Sequence, residues 1–507
     1  MNKIYIAVLC CFVCWSCSDF LKEYSQDQAY IRSYKDLDEL LIGETYMETN
    51  FGSEIAYFPY LQLMADETRE NIVTTWDMPD WDQYVKKYFG YVTWQYRAGY
   101  SPDKLTTSSE DTYWNKVYKH INLANMILDE IDKQEAPAEE DRQAVARIRG
   151  EAYFLRAAYY FLMANLYCQP YEAFKAAATP GIPLKTTYYI EDKLFLRGTL
   201  DKVYALIIGD LEKAAENLTG VPRKSVYRAN LTAVRLLQSR VYLYMQNWEK
   251  AAEYAQLCLD LQSDLTDLNT FSDSRAFAEA ESPEVIFSMG GNNIPRMLNN
   301  LFAGLSVSES LQKSYKRGDL RTKYFITYCG GDNEAWDCNK YVPQTSTQNA
   351  NVSEIYLFRT AEAWLNLAEA EACMGSVHEE RARQALDQLC KKRIQAGSWQ
   401  ATSLSGDALI QEIRDERRRE FCFEGHRWFD LRRYTVAEKA PFTGMIRNTY
   451  SLLEDMFEIS SISTYELPAG DPAWTLQIPW EVIEFEELTP NPRNERAPVS
   501  VENVNNP

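Results

Sequence analysis

Between Glu416 and Tyr434 the chain reads Glu-Arg-Arg-Arg-Glu-Phe-Cys-Phe-Glu-Gly-His-Arg-Trp-Phe-Asp-Leu-Arg-Arg-Tyr, charged and aromatic residues set around a single glycine. From Leu409 and Ile413 the 3.6-residue face continues through Arg417, Glu420, Glu424, Arg427 and Leu431, so opposite charges fall three or four apart on one side. Such a face is no plain apolar stripe. Buried charges are tolerated only when paired, and a guanidinium fork matches a carboxylate bidentately, so the pattern predicts an internal ion-pair lattice where this helix meets others. A solvated, charged helix is the alternative. Gly425 would cost roughly 1 kcal/mol inside a helix, so it marks a break or a close backbone approach.

Helical periodicity runs through Tyr34 to Tyr46, Asp111 to Ile131, Glu140 to Tyr167, Leu200 to Leu218, Asn230 to Gln246, Trp248 to Leu261, Glu354 to Met374, Glu379 to Arg393 and Asp407 to Glu424. Strand-like alternation is weak throughout. The expected class is therefore mainly α. Asn230 to Leu261 resembles a tetratricopeptide helix pair: Tyr242 and Trp248 stand near its aromatic positions, and Ala251 and Ala255 where helices touch. Glu354 to Arg393, with Ala361, Ala368, Gly375, Ala382 and Ala385, is a looser version. Small residues let paired helices approach, and stacked pairs share one core. Long irregular insertions are expected near residues 70–105 and 263–350.

The chain starts with a single Lys and an apolar run from Ile4 to Trp15, too short for a permanent membrane span, which reads as an export signal. It stops at Ser16-Cys17, and a small residue directly before Cys is what lipoprotein processing recognises, so Cys17 is the expected lipid-attachment residue. Cys14 and Trp15 stand where lipoprotein signals usually carry Leu and a small residue, which leaves cleavage elsewhere and plain secretion as the alternative. Acyl chains anchor at about 0.8 kcal/mol per buried CH₂. No Pro/Gly/Ser linker divides the remainder, so residues 1–16 are read as signal and 17–507 as one domain.

The formal charge of −20 opposes nucleic acid and anionic lipid surfaces as partners. Of eleven Cys, seven lie beyond the signal region, an odd number mostly on apolar helical patterns, which suits core thiols. Only His120, His378 and His426 exist, and no nucleophile elbow, phosphate loop or His-Glu-x-x-His motif is present, so an enzyme is not expected. Carboxylates are plentiful enough that a glycosidase pair is not excluded by counting.

Several segments together resemble the SusD/RagB family of nutrient-binding lipoproteins. The block quoted above is similar to its C-terminal signature through Glu416, Arg417, Arg418, Glu420, Glu424, Gly425, Arg427, Asp430, Leu431 and Arg433. Trp114, Tyr118, Ile121, Ala124 and Asn125 look like its Trp-x₃-Tyr helix, and Arg149, Glu151, Ala152, Phe154, Arg156 and Ala157 like a second framework helix. Arg359 to Glu369 and Asp319-Leu320-Arg321 add internal matches, and Cys17-Ser18-Asp19-Phe20-Leu21 resembles a mature SusD-like start. Cys168-Gln169-Pro170-Tyr171 departs from the family pattern and puts only local loop geometry in doubt. The resemblance implies a SusD-like fold and a lipid-anchored protein of the cell outer membrane, facing outward. Such a protein holds a nutrient, most often a glycan, and delivers it to a SusC-type TonB-dependent barrel transporter. It also implies that the signature is packing rather than catalysis. A peptide or glycoconjugate binder of the RagB type, or a tetratricopeptide-like scaffold binding only protein, is the alternative.

Two loops are candidate ligand sites. Nine aromatic residues fall between Trp76 and Tyr100, against 13% aromatics in the whole chain. Aromatic faces suit sugar C–H groups while hydroxyls seek polar neighbours. An aromatic core under a long loop is the competing explanation, weakest for Trp76 and Trp81, which stand among polar residues. Gly290 to Tyr341 supplies a polar turn and Trp336. The expected site is Trp76, Trp81 and Trp336 as stacking platforms, with Asp80, Asn292 and Arg296 as hydrogen-bonding groups. Cys329 and Cys338 would present Trp336 on a closed loop if oxidised. Asp332, Glu334 and Asp337 are the acids a Ca²⁺ ion would take there, but their spacing lacks the Gly-centred loop, so no cofactor is expected.

Overall fold

The computed structural model describes residues 31–47, 57–72, 85–103, 112–298, 304–330, 334–453 and 458–504. Cys17, Trp76, Asp80, Trp81 and Asp332 lie outside them. The helices are α1 (Tyr34–Leu40), α2 (Thr112–Ile131), α3 (Glu139–Tyr167), α4 (Leu200–Leu218), α5 (Leu231–Tyr244), α6 (Trp248–Leu261), α7 (Thr360–Met374), α8 (Glu379–Arg393), α9 (Gly406–Glu420), α10 (Arg427–Thr435) and α11 (Trp480–Glu486), with a few single turns between them. Neighbours in the chain pack on one another, α2 on α3, α3 on α4, α5 on α6 and α7 on α8, while α6 also packs on α7 to join successive pairs into one core.

The α5–α6 pair shows how the local sequence builds this stack. Gln246 adopts φ +58, which reverses the chain, and Asn247 caps α6 by accepting from the Lys250 N–H at 3.2 Å. Ala251 and Ala255 are fully buried, so the helix backbones come close enough for Ser239 to donate to the Ala251 carbonyl at 2.9 Å. Tyr242 and Tyr254 stack at 5.4 Å. Charged residues tie the layers where apolar ones would leave register open. Arg156 on α3 donates bidentately to Asp210 on α4, both bonds 2.7 Å, and to Asn125 on α2 at 2.9 Å.

The strands are β1 (Thr68–Glu70), β2 (Pro180–Pro183), β3 (Arg197–Thr199), β4 (Val285–Ser288), β5 (Leu305–Val307), β6 (Ile326–Gly330), β7 (Ala335–Cys338), β8 (Leu357–Arg359), β9 (Met445–Leu453), β10 (Ile459–Pro468) and β11 (Ser500–Asn503). Antiparallel pairs form between β1 and β5, β2 and β3, β4 and β8, and β6 and β7, and the last three strands make a sheet ordered β11-β10-β9. This sheet is absent from the sequence reading. Its inward position Asn448 carries an amide, which donates to the Leu63 and Val92 carbonyls at 3.0 and 2.9 Å, so hydropathy alternation does not reveal the buried face.

Three helix expectations need correction. The first helix gives way after Leu40 to a π turn, Leu41–Thr45. Leu357–Arg359, expected as helix, is strand β8, and the helix begins at Thr360. The helix expected over Asp407 to Glu424 ends earlier, at Glu420; the break expected at Gly425 is present, with Phe423 and Gly425 at φ +59 and +72, and a further helix starts at Arg427. A Cβ on Gly425 would meet only ordinary contacts, the nearest at 3.6 Å, so the glycine serves the left-handed turn and not a close approach.

Candidate functional site

The charged face of α9 and α10 is an interior lattice. Glu420, with no exposed surface, accepts from Arg393 and Arg359 at 2.9 Å and from Arg321 at 3.1 Å. Burial pushes its carboxyl up, but the Arg393 and Arg359 guanidiniums outweigh that and hold it well below the usual carboxylate range. Glu424 accepts from Lys340 at 2.7 Å and from two nitrogens of Arg359 at 2.7 and 3.0 Å. Arg417 donates to Asp430 at 2.8 Å and to Asn366 at 2.7 Å. Asp319 orients Arg321 through bonds of 2.9 and 2.7 Å. These groups satisfy one another, so their chemistry is structural.

Arg427 leaves this set. It donates to both oxygens of Asp66, at 2.7 and 2.9 Å, and Arg418 approaches the same carboxylate at 3.0 Å while donating to Ser310 at 2.8 Å. Burial raises the Asp66 carboxyl, yet Arg427 and Arg418 keep it well below the ordinary range, so it stays ionised. Asp66 and Ser310 both line a cavity of about 420 Å³. The Arg-rich helix end thus braces the wall of the open concavity.

The same cavity is lined by Arg69 and Glu70 of β1 and Arg447 to Thr449 of β9. Glu70 is held by Thr449 at 3.0 Å and by the backbone and hydroxyl of Ser451 at 3.1 and 2.9 Å. Arg69 donates to the Glu334 carbonyl at 3.0 Å, which fastens the turn of the β6–β7 hairpin to the cavity wall. Glu70 and Val85, which flank Trp76 and Trp81 in the chain, both line the cavity. Carboxylate, guanidinium, amide and hydroxyl groups therefore meet in this cavity, and Trp336 is not among its lining residues. Sequence reasoning missed these polar residues, which lie on two strands, β1 and β9, and in loops and turns far apart in the chain. The one available signal was an excess of Arg over nearby acid between Arg417 and Arg433, which requires a distant carboxylate.

Trp336 lies half-buried on β7, 5.6 Å from the exposed ring of Tyr328, and its backbone exchanges bonds of 2.8 and 3.0 Å with the Ser306 hydroxyl. Asn292 does not face a ligand space. Fully buried, it donates to the Ala350 and Val352 carbonyls at 3.2 and 2.9 Å and accepts from Ile294 at 3.2 Å, which ties its turn to residues 349–352. Arg296 is exposed on the single turn Ile294–Leu298, and nothing places it at the cavity. Cys329 and Cys338 are both free: Cys338 is buried opposite Ile326, while Cys329 is exposed three residues further along β6. Glu334 is exposed and Asp337 half-buried, and no acid, His or Cys cluster suited to a metal occurs among the described residues. His120 is held between Tyr57 and the Glu44 carbonyl at 3.1 and 2.9 Å, and burial pulls it down to about 4. His426 is buried in the lattice beside Arg417.

Stacked helix pairs with an open cavity of mixed polar and apolar lining on a small-strand face define a helical-repeat binding scaffold. No described helix is long and apolar enough to cross a membrane. A family model described as "Starch-binding associating with outer membrane" matches residues 22–243, and one described as "SusD family" matches residues 308–466. The chain belongs to the SusD/RagB family. The SusD-like protein P25 of Formosa agariphila is 22% identical over 86% of this chain and 90% of its own length. The SusD-like protein P38 of the same organism is 25% identical over 68% of this chain and 77% of its own. Among solved structures, a SusD superfamily protein from Bacteroides thetaiotaomicron superposes with a TM-score of 0.68 at 20% identity, covering 91% of this chain and 100% of that one. A structure titled "Laminarin binding SusD-like protein" superposes with a TM-score of 0.63 at 20% identity, over 90% of this chain and 98% of that one. At these identities the superpositions establish the mainly helical SusD-like fold.

Proposed function

We propose that this protein binds a glycan without catalysing a reaction on it, at the outer face of the outer membrane. It then passes the glycan to a SusC-type TonB-dependent barrel transporter. The observation that carries the reading is the cavity of about 420 Å³ lined by Asp66, Arg69, Glu70 and Asn448 together with Leu63, Val92 and Leu305. A volume in the range of about 300–1,000 Å³ with a few convergent polar groups is ordinary for a small-ligand site. Sugar rings need flat apolar faces next to groups that donate and accept; the cavity supplies the polar groups among Leu, Val, Ile and Met side chains, and Trp76, Trp81 and Trp336 are the proposed stacking rings. The family description as starch-binding and the laminarin-binding title of one fold relative support the same ligand class. Cys17 is the proposed lipid anchor that keeps the protein at the membrane, and the ligand loops act without a metal ion.

A glycan array on the purified mature protein, run beside a peptide library, tests the reading. Selective retention of one glycan class is expected. Retention of peptides alone would replace it with a peptide-binding role, and recovery of the transporter without affinity for either ligand class would leave only a protein scaffold.

A further inference from the structure

A second cavity, of about 480 Å³, opens between α2, the connection from β2 to β3, and α11. It shares no lining residue with the first. Trp114 and Tyr118, four apart on α2, present adjacent rings on one helix face, 5.0 Å between centroids. Both are held from behind: Trp114 packs edge-on to Tyr167 at 4.8 Å, and the Tyr118 hydroxyl donates to the Pro183 carbonyl at 2.8 Å. Phe195 closes another side, and Glu486 of α11 accepts from its backbone N–H at 2.7 Å, so the mouth is formed in advance.

Phe485 completes the lining from α11, yet 79% of its surface is exposed, so the ring has no packing role that would explain it. Polar groups stand among the aromatics: the Asn115 amide, the Lys185 ammonium and the Glu481 and Glu486 carboxylates. Lys185 lies 4.8 Å over the Phe195 ring and donates to the Tyr189 carbonyl at 2.7 Å, which keeps its charge at the rim. Groups of both signs with an amide suit hydroxyls, which donate and accept, and the two carboxylates disfavour a polyanion. Aromatic walls from three separate elements suit the C–H faces of sugar rings.

We propose that this cavity is a second carbohydrate-binding site, for a short neutral saccharide, separate from the cavity at Asp66 and Glu70. It would hold a second stretch of glycan or a second chain while the first site is occupied.

The test uses the full mature chain with maltotriose, laminaritriose, cellotriose and mannotriose as probes, read by saturation-transfer NMR and calorimetry. The wild type is compared with Phe485→Ala, Asn115→Ala and Arg69→Ala. At least one trisaccharide is expected to contact the protein in Arg69→Ala as it does in the wild type. Its affinity should fall about fivefold or more in Phe485→Ala, in line with the loss of one stacking ring. Both Phe485 and Asn115 are exposed, so their variants should melt like the wild type. The proposal is overturned if no probe contacts the protein, if Arg69→Ala removes all binding, or if Phe485→Ala and Asn115→Ala both bind as the wild type does. Failure of the first-cavity reading looks different, because Arg69→Ala would then leave every glycan affinity unchanged.

Discussion

Arg427 holds Asp66 through two parallel bonds of 2.7 and 2.9 Å, joining residues 361 positions apart in the chain. The pair connects the family's charged helix to the wall of the cavity proposed to hold ligand. A lattice of this kind sets geometry more than it adds stability, because each buried charge forfeits hydration that its partner must restore.

Replacing Arg427 with Lys keeps the charge but loses the fork, leaving one directed bond in place of two. The expected cost is about 1–2 kcal/mol of unfolding free energy together with weaker glycan binding. Chemical denaturation and calorimetry measure the two effects. Unchanged stability and affinity would show that Asp66 is positioned by other contacts.

Glu424→Ala should be more damaging. It strips Arg359 of two of its bonds and Lys340 of its carboxylate, all in fully buried positions. A loss on the order of 3–5 kcal/mol is expected, seen as a lower Tm. An intact Tm with ligand binding lost would instead assign Glu424 to the binding site.

Glu67, next to Asp66, is buried with one carboxyl oxygen unpartnered, and burial together with the Asp66 charge pushes it up to about 8. In the unfolded chain the group ionises near the ordinary glutamate value of 4.5, so between that pH and about 8 the folded state binds the extra proton. Stability therefore falls as pH rises through this window and levels off above it. Glu67→Gln should flatten that part of the stability–pH curve and stabilise the protein at pH 8 relative to the wild type. An identical pH profile for variant and wild type would show that Glu67 is already ionised in the fold.

Single Ala substitutions at Trp76, Trp81 and Trp336 are expected to weaken glycan binding by about 1–3 kcal/mol each, the scale of aromatic stacking on flat ligands. Melting temperatures should barely move. Normal affinity in all three variants would place the ligand elsewhere, and unfolding would assign the rings to the core.

Cys17→Ala should release the protein from membranes into the soluble fraction and abolish acyl labelling. Continued labelling of that variant would move the attachment point to another residue.

The longer helices and most of their boundaries were legible in the sequence because each depends on a 3.6-residue pattern read within a few turns, as in Glu140 to Tyr167 against the observed Glu139–Tyr167, whereas the short helices Arg427–Thr435 and Trp480–Glu486 were not separately read. The paired-charge character of Arg417, Glu420 and Glu424 was legible for the same reason: residue types and spacing are local. Which acid each arginine takes was not. Arg427 finds Asp66 and Arg359 reaches Glu284 at 2.7 Å through packing between elements, and charge carries no code for a partner hundreds of residues away. Asn292 had the composition of an exposed polar turn, yet the loop at 349–352 folds over it and takes up its amide. The cavity at Glu70 likewise exists only once β1, β5 and β9 are brought side by side. Each strand is too short or too polar inside to announce itself by alternation, so the chain alone specified the scaffold and tertiary packing decided where its polar groups meet.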